Sequence, residues 1–178
     1  MTKYTTEFDS VFCSRSKKYG LRKLLLKSIA ICESSLNKDA YRYEPAFWDK
    51  YLKNNPLYKD KEIALVSASH GLFQIMFPTA CELLETKAEL TREDLCNPFL
   101  NTELAAKYIR KILDKVIAQR VCDKYYWFSP IEVVMARYNS GYTSNPSDDG
   151  VLRGQKYADR IMKTWCDLEK EEQECEGD

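Results

Sequence analysis

The stretch "SIAICESSLN", residues 28–37, sets an apolar run against a single carboxylate, Glu33, and follows it with two serines. Leu21, Leu24, Leu25, Ser28, Ile29 and Cys32 recur at i, i+3, i+4 and i+7, which predicts a helix buried along one face. Glu33 falls at the C-terminal end of that helix. A carboxylate in such a place is ordinarily a solvent-facing charge that closes a core helix. The alternative is a general acid at the mouth of a cleft, since apolar neighbours and the negative carbonyl end of a helix both favour the protonated form. The rest of the chain decides between these readings.

Composition narrows the classes. Lys+Arg and Asp+Glu each total 27 in 178 residues, so no basic field selects nucleic acid and no excess acidity points to disorder. The length fits one domain with a real core, placed at residues 1–168, followed by an acidic and frayed tail at 169–178. The opening "MTKYTTEFDSVFC" lacks the apolar core and cleavage site of a signal peptide, and there is no long apolar run, so a soluble protein made in the cytoplasm, with no membrane partner, is expected. Seven cysteines, odd in number and without a C-x-x-C pair, argue for packed free thiols rather than a disulfide framework. A single histidine disfavours a metal site, and no cofactor is expected.

Helical periodicity dominates. Phe8, Val11, Phe12 and Tyr19 predict a first helix closed by Gly20. Residues 34–70 read as irregular, with a short helix opening at Pro45 through "AFWDKYL" and "IALVSAS" (63–69) as the best short β segment. A helix is predicted from Pro78, and residues 101–117 form a clear amphipathic helix. "SPIEVVMARYNSG" begins with the capping box Ser129–Glu132, so its helix is predicted to run to about Tyr138, before Gly141. Residues 142–154 read as a loop, and helical spacing resumes in "QKYADRIMKTWCDLE".

Three polar clusters then stand at helix ends or loops: "CESSLN" (32–37), "SHGLFQIM" (69–76) and "ARYNSG" (136–141). In this order they resemble the lytic transglycosylase (SLT-type) domain of the goose-lysozyme-like superfamily, whose signature is an E-S pair, G-L-[MF]-Q-[IL], A-x-Y-N-x-G and a late tyrosine. "YRYEPAF" (41–47) and "NPFLNTELAAKYI" (97–109) are also similar to segments of phage and bacterial members. An isolated E-S or Y-N carries no weight, whereas three ordered motifs at compatible spacing do. This chain departs from the pattern at Phe73, where many members have methionine, at Arg137, where a small residue is common, and in a shortened segment after Gly141.

The resemblance implies a mainly α, lysozyme-like domain with a short β segment beside an active-site cleft. It implies Glu33 as the one catalytic residue, with Ser34, Glu44, Ser69, Phe73, Gln74, Tyr138, Asn139 and Tyr157 binding the substrate. The implied substrate is the peptidoglycan glycan strand, cut to a 1,6-anhydromuramoyl product. With no signal peptide read and no length left for a wall-binding domain, a phage-encoded enzyme is expected, a monomer acting on the wall in the periplasm, free or as part of a virion or secretion assembly.

Each residue also has a plainer reading. Tyr138 and Tyr157 fit half-buried packing groups among 12 tyrosines, Asn139 a helix C-cap, Gln74 a buried amide bonded to backbone, and Ser69 and His70 loop residues without a role. The nearest rival activity is hydrolysis, with Glu44 placing a water and Asp148 or Asp149 as further candidates. For Glu44 the plain reading is a helix-start charge beside Pro45. A cysteine amidase or peptidase built from Cys32, His70 and Asn139 has the right residue types, but a helix C-terminus raises a thiol's pKa where a nucleophile needs it lowered. A catalytically inactive wall-binding part of a larger assembly is the non-enzymatic alternative.

Overall fold

The computed structural model describes residues 3–85, 90–118, 129–140 and 148–176. The fold is mainly helical with one small antiparallel sheet, and it divides into two compact units, residues 33–105 and residues 1–32 with 106–178. Among the described residues no helix is long and apolar enough to cross a membrane.

The all-helical unit begins with α1 (Asp9–Tyr19), which Gly20 ends in the left-handed conformation at φ 60°, its N–H returning to the last turn. The helix expected around Leu24 is α2 (Lys23–Ser34), with Leu25, Leu26, Ile29 and Ala30 fully buried. Lys27 is buried in the same helix, and its ammonium meets Asp9 at 2.7 Å. Helix α7 (Pro98–Ala118) supplies Ile109, Ile112 and Val116 to the core of this unit. Next comes α8 (Pro130–Ser140), whose capping box forms as expected. The Ser129 N–H donates to Glu132 Oε2 at 2.7 Å, and the Glu132 N–H donates to Ser129 Oγ at 3.3 Å.

Two expectations are corrected here. Part of the stretch expected as a loop belongs to the long helix α9, Asp148–Glu176; Gly141 and the rest of 141–147 lie outside the described residues. Gly154 does not break this helix because it is a contact point. A Cβ there would lie 2.6 Å from the Ala136 carbonyl oxygen, so only glycine lets α9 approach α8 so closely. The acidic residues 169–176, expected as a frayed tail, continue α9. Two of their carboxylates have partners: Glu172 pairs with Lys23 at 2.5 Å, and Glu169 accepts from the Trp165 indole at 2.6 Å.

The second unit holds the sheet. Strand β1 (Tyr41–Tyr43) pairs with β2 (Ala68–His70), Tyr41 opposite His70, and β2 pairs with β3 (Ile75–Met76), Ser69 opposite Met76. Of the strand expected at 63–69, only Ala68 and Ser69 are strand. Ile63–Val66 forms the helical turn α4, and β1 and β3 lay undetected, because three- and two-residue strands are too short to show alternation. The helix at Pro45 is α3 (Pro45–Phe47) running into a π-helical turn, Trp48–Leu52. Helix α5 (Phe77–Leu84) and the short α6 (Arg92–Cys96), capped by Thr91, complete the unit; α6 was not anticipated.

The central strand is fully buried and carries the chain's single histidine. The His70 Nε2–H donates to the Leu65 carbonyl at 3.0 Å, the Tyr41 ring stands edge-on to the imidazole, and burial holds the imidazole pKa below its ordinary value. Nδ1 has no hydrogen-bond partner among the described residues, as fits a neutral ring.

Two measurements test this account. Asp9→Asn leaves a buried ammonium uncompensated and should lower the unfolding free energy by about 3 kcal/mol, whereas Lys27→Met, which removes the charge and keeps the volume, should cost under about 1 kcal/mol in urea titrations. For His70, the unfolded chain takes up a proton near pH 6.5 while the folded chain does not, so stability is present above about pH 6.5 and is lost as pH falls below it. The Tm should decline from pH 7 towards pH 5, and His70→Gln should flatten that decline.

Candidate active site

Glu33 is half-buried in the last turn of α2. The chain does not simply unwind after it. Ser35 and Leu36 both adopt left-handed backbone, at φ 54° and 63°, and Leu36 is buried. A branched apolar residue in that region costs about 1–3 kcal/mol and persists only where its surroundings hold it. The restraint is visible. The Ser34 hydroxyl donates to the Leu72 carbonyl at 2.9 Å, pinning the helix end to the "GLFQ" loop.

That loop is built around two residues. Gly71 lies at φ 76°, and a Cβ on it would come within 2.6 Å of Asn101 Nδ2 and 2.8 Å of the Leu95 carbonyl, so both conformation and space demand glycine. Asn101, fully buried at the start of α7, saturates its carboxamide on backbone. Its Nδ2 donates to the carbonyls of His70 (2.9 Å) and Leu95 (2.8 Å), and its Oδ1 accepts from the Phe73 N–H (2.8 Å). Sequence reasoning missed Asn101. The signal was present as a polar residue on the apolar stripe of an amphipathic helix, where a buried amide must find partners.

Gln74 follows at φ 50°. Its amide donates to the carbonyls of Gly71 (3.0 Å) and Ala40 (3.3 Å) and accepts from the Ser69 hydroxyl at 2.8 Å. The plain reading of Gln74, an amide bonded to backbone, thus describes its geometry, and Ser69 is a buried support for that amide. Phe73 is fully buried, so its ring packs beneath the loop instead of forming an open floor.

Glu44 lies at the junction of β1 and α3, where the Ser67 hydroxyl donates to its carbonyl at 2.6 Å. Its carboxylate pairs with the Arg42 guanidinium at 2.7 Å. It makes no side-chain cap on α3, so the expected helix-start role is replaced by an ion pair.

The remaining candidates lie in the helical unit. Tyr138 is half-buried on α8 with its ring 5.6 Å from that of Tyr108, and Asn139 is exposed beside it. Tyr157 is almost wholly buried on α9 under the Arg160 guanidinium. The cysteine-enzyme constellation finds no support. Cys32 Sγ lies 3.5 Å from the Thr164 hydroxyl, and the His70 ring is buried with Nε2 committed to Leu65. The side chains of Asp148 and Asp149 lie outside the described residues.

Comparison with known families follows the same outline. The family model described as the transglycosylase SLT domain matches residues 10–150, and no curated protein matches the chain.

Because Asn101 satisfies three buried backbone groups, Asn101→Ala should lower the unfolding free energy by about 3 kcal/mol. Ser69→Ala, which only frees the Gln74 amide, should cost about 1 kcal/mol. Urea titration of the two variants beside wild type gives both values.

Proposed function

The chain belongs to the transglycosylase SLT domain family, whose members act on peptidoglycan, and from that premise we propose that it is a lytic transglycosylase cleaving the MurNAc-β-1,4-GlcNAc bond. Glu33 acts first as acid and then as base. The observation that carries this reading is the position of Glu33: half-buried in the last turn of α2, directly before a serine tied to the "GLFQ" loop and a strained corner. A residue that must donate and then accept a proton at fixed atoms needs such a support.

The reaction requires no water. The Glu33 carboxyl gives its proton to the glycosidic oxygen, the bond from that oxygen to C1 of the muramoyl sugar breaks, and positive charge develops at C1. The resulting carboxylate takes the proton of the C6 hydroxyl of the same sugar. O6 then bonds to C1, closing a 1,6-anhydro ring and returning Glu33 to its protonated form. An intramolecular nucleophile has a high effective concentration, so a second carboxylate is not needed.

Ser34, Ser69, Phe73 and Gln74 hold the loop that faces the substrate; Tyr138 and Asn139 are assigned to sugar contacts, and the buried Tyr157 to their support. Glu44, already paired with Arg42, tunes electrostatics and does not place a water. The enzyme acts as a monomer of phage origin on the bacterial wall, alone or carried by a virion.

Glu33→Gln keeps shape and hydrogen-bonding reach but removes the proton. Its turnover of purified sacculi should fall by about 1,000-fold or more, while Glu44→Gln should lose under about tenfold. Mass spectra of wild-type digests should show muropeptides lighter by one water than hydrolytic products. Reducing muramic acid as the main product, with Glu44→Gln as damaging as Glu33→Gln, would make this protein a muramidase.

A further inference from the structure

A second recess lies within the sheet-bearing unit, apart from the Glu33 corner. It has a volume of about 430 Å³, and Tyr41, His70, Glu62, Arg92 and Glu93 line it. That volume falls in the range of about 300–1,000 Å³ typical of ligand pockets.

Its bordering charges are of both signs. Neighbouring surface charges of this unit pair with one another, Arg42 with Glu44 and Lys38 with Asp39. Among the described residues neither Glu62, Glu93 nor Arg92 enters an ion pair, although all three border the same space. The Arg92 guanidinium lies 4.6 Å from the centroid of the Tyr41 ring and also bears on the Cys96 thiol, two contacts that orient its planar fork without pairing it with a carboxylate. The wall behind Tyr41 is the buried His70 imidazole, whose Nδ1 lacks a hydrogen-bond partner among the described residues.

A simple anion would meet two carboxylates here, and a simple amine would meet the guanidinium. A group bearing both charges matches the lining, its carboxylate on the Arg92 fork and its ammonium between Glu62 and Glu93. Resting on the proposed action on peptidoglycan, we infer that this recess binds the zwitterionic amino-acid end of a peptidoglycan stem peptide, so that the enzyme selects strands still carrying free stems. Tyr41 supplies the face against which the aliphatic part of that residue packs, and Arg92 sets its orientation.

The direct test titrates the full chain, followed by calorimetry, with the tripeptide N-acetyl-L-Ala–γ-D-Glu–diaminopimelate, whose acetyl group stands in for the amide link to the strand, and with the same peptide acetylated also on the diaminopimelate side-chain amine. The tripeptide with that amine free should bind to wild type. Acetylation of the amine, Arg92→Ala and the double variant Glu62→Gln/Glu93→Gln should each weaken binding about tenfold or more. No binding to wild type, equal affinity for the two peptides, or affinity untouched in Arg92→Ala would overturn the inference, as would displacement of the tripeptide by a peptide-free chitooligosaccharide. In turnover, Arg92→Ala should raise KM about tenfold on stem-bearing strands and leave kcat, and all constants on amidase-stripped strands, unchanged. Absence of anhydro products from wild type would remove the proposed activity, while the tripeptide titration would still decide the recess.

Discussion

The carboxamide of Asn101 is the constraint on which the site depends. One fully buried side chain closes three backbone hydrogen bonds, to His70, Phe73 and Leu95, and so fixes the path of residues 70–73. The approach is so close that residue 71 must be glycine. From that fixed path the Leu72 carbonyl is presented to the Ser34 hydroxyl, and the end of α2 inherits its position. Buried amides are costly when unsatisfied and highly directional when satisfied, which makes this one a reference point for its surroundings.

Backbone strain is concentrated around the same place. Of four non-glycine residues with positive φ among those described, three are Ser35, Leu36 and Gln74, all in the segments flanking the Ser34–Leu72 bond. Such conformations are affordable only where neighbouring contacts over-determine them, and they recur at sites that need side chains held in fixed directions. Here the result is a glutamate at a helix end whose following corner has little freedom to relax. This is the condition that proton transfer at defined atoms requires.

The helical unit is stabilised by different means. A buried lysine paired with Asp9 and a bare Gly154 against Ala136 each link elements through a specific contact on top of apolar burial, while the capping box at Ser129 fixes the start of α8. The sheet-bearing unit relies more on side chain to backbone hydrogen bonds. Ser67 to Glu44, Ser34 to Leu72 and Gln74 to Ala40 join segments too short to hold together by strand pairing alone.

By itself the sequence determined the long helices and their caps, since apolar period, Gly20 and the Ser129–Glu132 box are local signals that tertiary packing reinforced. It also carried the family, because three short motifs in a fixed order are legible without coordinates, and it marked Glu33 as the candidate acid. Tertiary structure alone decided the rest. Strands of two and three residues exist only because β2 has neighbours on both sides, and residue 154 must be glycine only because Ala136 packs against it. Asn101 becomes a keystone, and Phe73 a buried ring rather than an open floor, because hydrogen bonding and burial depend on residues about thirty positions away in the chain, which no local pattern encodes.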